Sequence, residues 1–210
     1  MGVKKVEIMI RKAHKHLLNE WKTRTRQRHL AIRGINFLDE IIAEAIKRAH
    51  SPSVNRALNT FGIPTRAPRE KAAMYLQTEI KKLLKNNEID ENKFDQWIEK
   101  ACKQIKQYYH EANITDYTLG NAQKLVNMTI KFIFSSDRIN YNLKIFKVCH
   151  LPIDRVIMNK AKQKLNIQRL EQTWPRTDDW DAIINYQNKI RKAVSLEKEK
   201  YPLVWECLNW

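Results

Sequence analysis

The chain has 210 residues, with 39 Lys and Arg against 23 Asp and Glu, a net charge of +16 and a pI of about 9.8. Hydrophobic residues make up 43%, enough for the core of one domain or two small lobes, which excludes a wholly disordered chain. Only 4 Gly and 6 Pro interrupt it, too little turn chemistry for a sandwich or barrel of short strands, so the composition points to an all-α fold.

Two helices are expected in the first fifty residues. Apolar positions recur at Ile10, Ala13, Leu17, Leu18 and Trp21, and again at Ile35, Leu38, Ile42, Ala45 and Ile46. A turn region with Pro52, Gly62, Pro64 and Pro68 follows, and helical spacing resumes at Ala73, Leu76, Ile80 and Leu83. The step NNEIDEN separates this helix from KFDQWIEKACKQIKQYY. Asp116 and Thr118 are candidate N-caps for a helix through GNAQKLVNMTIKFIF. After the break at SSDRIN come a short apolar segment, a turn at Pro152 and a basic helix expected over 154–170. The chain then offers a helix at WDAIINYQNKIRKAV and the tail KYPLVWECLNW.

Cys102, Cys149 and Cys207 are odd in number and far apart, which excludes a disulfide scaffold and a four-cysteine metal or cluster site. The longest apolar runs, such as IMI and FIF, fall far short of the roughly 18 residues of a membrane span. Charges run straight through the first sixteen residues, which argues against a signal-peptide core. An intracellular protein, cytoplasmic or associated with a nucleoid, is the expectation.

The charge suits a polyanionic partner, and six Trp and seven Tyr supply surfaces for stacking on bases. Arg155, Lys160, Lys162, Lys164 and Arg169 fall in a stretch with no acidic residue, so this helix is expected to lie along a phosphate backbone. A lysine-rich solvated surface is the bland alternative.

Three features of the second half acquire meaning as a set: the helix LGNAQKLVNMTIKFIF, the turn CHLPIDRVIMNKAKQKLNI and the tail PLVWECLNW. In this order they resemble the helix-hairpin-helix superfamily of DNA glycosylases, in which a lysine near a glycine opens a helix and an apolar-Pro-apolar-Asp motif starts a basic one. The resemblance is closest to the archaeal 8-oxoguanine DNA glycosylase branch, on Gln123-Lys124, Asp154, Pro202-Leu203, Glu206 and Trp210, and covers roughly residues 110–210. The chain departs from the superfamily in offering only Gly120 near the lysine, and from the branch in placing Glu206 where that branch has aspartate.

The resemblance implies a two-lobed helical bundle spanning 1–210, with roughly 70–150 as the central lobe and 1–60 and 151–210 as the other. It implies Lys124 as the nucleophile, Asp154 as the carboxylate that stabilises positive charge on the sugar, and Glu206 and Trp210 as the groups reading a flipped base. Gly120 and Gln123, with Arg155, Lys160, Lys162 and Lys164, are the expected contacts to the nucleic-acid backbone. No metal or cofactor is implied, and the implied partner is duplex DNA carrying a modified base. Such chemistry needs an amine that has shed its proton and a carboxylate to shuttle it, and Leu125 and Met128 give Lys124 apolar neighbours. The competing role for Asp154 is to cap the basic helix. Trp21 and Trp97 are alternative walls for stacking the base, and Cys149 and His150 read as core.

Two other functions fit the residues. A HEPN-type helical ribonuclease would use an Arg-x4–6-His motif, which occurs at Arg11–His16 and at Arg24–His29. A non-catalytic nucleic-acid-binding protein would use the basic surface alone.

Overall fold

In a computed structural model the described residues are 7–16, 32–50, 65–140 and 143–209, and among them the regular structure is helical throughout. No helix among them is long and apolar enough to cross a membrane. In chain order the helices are α1 (residues 7–16), α2 (Leu38–Ala49), α3 (Arg66–Lys85), α4 (Glu91–His110), α5 (Leu119–Phe134), α6 (Ile145–Val148), α7 (Arg155–Leu165), α8 (Trp180–Ser195) and α9 (Pro202–Asn209). A 3-10 turn, Trp174–Arg176, precedes α8.

The centre is α5, in which every residue except Met128 is buried. Its sequence is apolar on more than one face, so it must be covered from several sides. α2 and α4 lie against it, α3 packs on both of them, and the 3-10 turn sits on its N-terminal end. α2 contributes Ile41, Ile42, Ala45 and Ile46, and α4 contributes Phe94, Ile98, Ala101 and Ile105, the i, i+3/i+4 stripes that give each helix one apolar face. α1 reaches the far end of α5, where His14 bonds the Ser136 carbonyl oxygen at 3.0 Å and meets the Phe134 ring edge-on. The α4–α5 turn is closed by Asn113 at φ 60° and by Tyr109 stacked on Tyr117, with ring centres 3.8 Å apart; asparagine is among the few residues that tolerate this left-handed backbone.

Local chemistry sets the helix ends. Thr118, not Asp116, caps α5 by accepting from the Asn121 amide. Asp90, Asp154 and Asp179 cap α4, α7 and α8 in the same way. α3 begins at Arg66, earlier than its apolar spacing indicates, because Pro68 falls in the first turn, where no amide donor is required. The basic helix stops at Leu165, short of the 170 expected, because Asn166 turns left-handed at φ 54° and the Ile167 amide folds back onto the Ala161 carbonyl.

The segment from Cys149 to Asp154 carries no helix, so side chains must satisfy its buried backbone. Gln187 of α8 donates to the Leu151 carbonyl at 2.7 Å, and Arg191 donates to that of Val148. Arg191 also makes a two-pronged pair with Asp95 of α4, at 2.9 and 3.1 Å, and the His150 ring donates to the same carboxylate at 2.8 Å. Cys149 and His150 thus lie in the core, as the sequence suggests. Burial keeps the His150 imidazole below its ordinary range, so the ring is a neutral donor at pH 7.

Burial alone would raise the Asp95 carboxyl, but hydrogen bonds from His150 and Arg191 outweigh it and hold it at about 2. A carboxyl depressed in the fold adds stability above its unfolded value of 3.8, and that stability is lost as the pH falls towards 2. Asp95→Asn is therefore expected to cost about 2 kcal/mol at neutral pH and to flatten the stability curve between pH 4 and 2. Urea melts across this window check it; parallel curves for the two proteins would contradict it.

Candidate functional site

Burial of α5 on all sides places two lysines inside the protein, Lys124 and Lys131, seven residues and about two turns apart. Each faces a carboxylate delivered by a different element. Lys124 Nζ lies 3.3 Å from Asp154 Oδ2, and Lys131 Nζ lies 2.5 Å from Glu206 Oε1.

Asp154 divides its oxygens between two tasks. Oδ1 accepts the Ile157 amide at 3.0 Å and starts α7, while Oδ2 faces Lys124. The capping and catalytic readings of this residue are thus compatible in one geometry. Gln123, next to the lysine, fixes the approach of that carboxylate. It donates to the Ile153 carbonyl at 2.9 Å and accepts from the Ile153 amide at 3.1 Å, so a side-chain amide pairs with backbone much as a neighbouring strand would. Gln123 is 1% exposed, so it serves to position Asp154 and does not face a phosphate backbone.

Gly120 is also occupied. Its amide donates to the Thr177 carbonyl at 2.8 Å, so this N–H is not offered to a phosphate. A Cβ at this position would stand 1.8 Å from the Trp174 carbonyl oxygen, which explains the glycine by close approach of the 173–178 segment. That segment brings the Trp174 ring over the ammonium, with Lys124 Nζ 4.2 Å from the ring centroid. Lys124 therefore sits between a carboxylate and an aromatic face, with 9% of its side chain exposed.

Glu206 is buried at 1% within the C-terminal helix. Burial lifts its carboxyl above the ordinary carboxylate range, with Lys131 opposing. Burial likewise works against the Lys131 ammonium, but the charge of Glu206 and its hydrogen bond outweigh this and hold it above the ordinary lysine range. Glu206 Oε2 has no hydrogen-bond partner among the described residues. Glu206 thus lies behind the site, in a buried ion pair, and not on an open wall. Trp210, Trp21 and the Arg24–His29 pair lie outside the described residues. Trp97 packs on Phe94, with ring centres 5.7 Å apart. Arg11 is exposed on α1.

The basic residues of α7 separate into two kinds. Lys160 donates to the Asn209 carbonyl and Lys164 to the Asn209 side chain, so both grip the end of α9. Arg155 and Lys162 are exposed and carry no hydrogen bond or ion pair among the described residues. Among the described residues no group of three or more His, Cys, Asp or Glu could hold a metal ion.

Sequence reading missed Lys131 and Trp174. Lys131 had a signal, since a second lysine seven residues on within an apolar helix must share the buried face of the first. Trp174 had none, because only the fold brings it to α5. No protein-family model, curated protein or solved structure matches this chain, so the class rests on the geometry: an all-helical protein with a buried lysine paired to a helix-capping aspartate.

Removing one partner of a buried pair strands the other charge, so Lys131→Met is expected to cost about 3–5 kcal/mol. The double variant Lys131→Met/Glu206→Leu should recover most of that loss. Urea melts of wild type, Lys131→Met, Glu206→Leu and the double variant decide this, and additive losses of the two single variants would contradict the pairing.

Proposed function

We propose that this chain is a DNA glycosylase with associated lyase activity, a two-lobed member of the helix-hairpin-helix type that excises a modified base from duplex DNA. 8-Oxoguanine is the first base to test. The observation that carries this reading is the pairing of Lys124 Nζ with Asp154 Oδ2 at 3.3 Å, an amine and a carboxylate held together inside an otherwise closed helix. A solvated helix lysine needs no such partner and no such burial. The pair is poised for nucleophilic catalysis on a sugar carbon.

The chemistry runs as follows. Asp154 Oδ2 takes a proton from the Lys124 ammonium, and the freed lone pair attacks the anomeric carbon of the target nucleotide. The bond from that carbon to the base breaks, and its electron pair leaves with the base, which is then protonated. The newly bonded nitrogen then gives up a proton, and its freed lone pair forms the C=N bond as the C–O bond of the sugar ring breaks towards the ring oxygen, which takes up a proton and leaves a cationic Schiff base on Lys124. Loss of a proton from the adjacent sugar carbon then expels the 3′ phosphate, and water hydrolyses the Schiff base to release the enzyme. Asp154 is suited to the proton transfers because its cap on α7 and the Gln123 clamp on Ile153 hold it in place.

The base must leave the stack for Lys124 to reach its sugar. Arg155 and Lys162, exposed and without partners among the described residues, are the α7 side chains suited to the phosphates beside it. Lys160 and Lys164 hold the C-terminal helix instead.

Borohydride trapping on duplexes that each carry one modified base or an abasic site tests this reading. Wild type should form a covalent adduct, and Lys124→Gln should form none. Asp154→Asn keeps a capping side chain but removes the carboxylate, and base release should slow by about 100-fold or more. An adduct that persists in Lys124→Gln, or no adduct and no base release on any substrate, would overturn the proposal. In the second case, cleavage of RNA that depends on His16 or His29 would favour the ribonuclease.

A further inference from the structure

Lys124 is covered by an aromatic ring whose backbone is pinned in place. The Thr173–Asp178 segment is tied to the N-terminal end of α5 at every turn. Thr118 Oγ1 donates to the Pro175 carbonyl at 3.0 Å, the Asn121 side chain donates to the same oxygen at 3.4 Å, and the Gly120 amide donates to Thr177 O at 2.8 Å. Asp178 accepts the Leu119 amide at 2.9 Å and pairs with Lys106 at 2.5 Å. With Gly120 admitting the Trp174 carbonyl to a distance no Cβ would allow, these contacts hold the backbone of Trp174 against the N-terminal end of α5.

That fixed position constrains any reaction at the amine. An atom bonded to Lys124 Nζ lies within about 6 Å of a ring centre that is itself 4.2 Å from Nζ. A nucleophile approaches the anomeric carbon from the side opposite the leaving base. The ring beside the nitrogen therefore borders the sugar, and the departing base lies beyond it. The nitrogen also carries positive charge both as the resting ammonium and as the Schiff base, and an aromatic face attracts a cation in either form.

We infer that Trp174 is the face against which the deoxyribose of the reacting nucleotide packs, and that its π cloud steadies the cationic Schiff base formed on Lys124. The inference rests on Lys124 being the nucleophile and adds a sugar-contacting residue to that reading. Trp174 takes the place that sequence reading left open between Trp21 and Trp97, but on the sugar side of the reaction. It also gives Gly120 a functional consequence, since the close approach permitted there brings the ring to the amine.

The test compares Trp174→Phe and Trp174→Leu with wild type on an abasic-site duplex and on a duplex carrying the excised base. Three quantities are read: borohydride-trapped adduct, base release and the thermal midpoint. Phe keeps a π face and should retain most of the trapped adduct. Leu should lose it about tenfold on both duplexes, abasic included, because the sugar is common to them. The thermal midpoints of the two variants should fall together. Trapping by Leu equal to wild type would overturn the inference, as would equal losses in Phe and Leu, which would mark Trp174 as packing alone. A loss confined to the base-bearing duplex would place the ring against the base and overturn the sugar contact. Failure of wild type to trap on any duplex would instead sink the reading of Lys124 and this inference with it.

Discussion

A helix closed to water that carries two lysines sets the terms for everything around it. An ammonium inside a protein without a partner costs several kcal/mol, so α5 is compatible with the fold only if two carboxylates reach it. The chain meets this demand from two distant places. The loop before α7 supplies Asp154 to Lys124, and the C-terminal helix supplies Glu206 to Lys131. Each delivery requires its own support. Gln123, Gln187 and Arg191 fasten the loop, and Lys160 and Lys164 fasten the end of α9. The elements of the second half are thus arranged about the charges of one helix as much as about its apolar surface.

The two pairs are not equivalent. Lys131–Glu206 is sealed, short and in direct hydrogen bond, and its energetic role is to satisfy two charges that would otherwise be stranded. Lys124–Asp154 is longer, keeps some exposure and has an aromatic ring on another side. The second pair is the one that keeps contact with solvent. Its neighbours carry rigid tasks, Asp154 in a helix cap and Gln123 in a backbone clamp, so the geometry is held by interactions that precede any substrate. Such preorganisation holds a carboxylate beside an amine through contacts made within the fold itself.

Most helices were legible in the sequence because their signal is local. The stripes of α2 and α4 repeat at helical spacing, and Thr118 and Asp154 are capping residues in the expected place. Boundaries failed where one residue outweighed the pattern: Pro68 is harmless in a first turn, and Asn166 ends a helix whose composition would have carried it further. Within the site, Lys124 and Asp154 were recognisable from their motifs, and the fold brings them together. The partners of Gly120, Gln123, Lys160 and Lys164 were not legible, because each of these groups is engaged by a backbone or side-chain group distant in sequence. The tail motif points to Glu206 alone, whereas the signal for its partner Lys131 lies in the seven-residue spacing from Lys124 along α5. Trp174 stands fifty residues from Lys124 in a stretch with no periodic signal, and only the tethering of 173–178 to α5 makes it a neighbour.

The central claim is that the Lys124 amine, beside Asp154, is the group that bonds to the substrate sugar. Peptide mapping of the borohydride-reduced adduct by mass spectrometry tests this without relying on a variant that must fold. The account predicts the sugar remnant on Lys124. A remnant on the chain's terminal amine or on another lysine would contradict it.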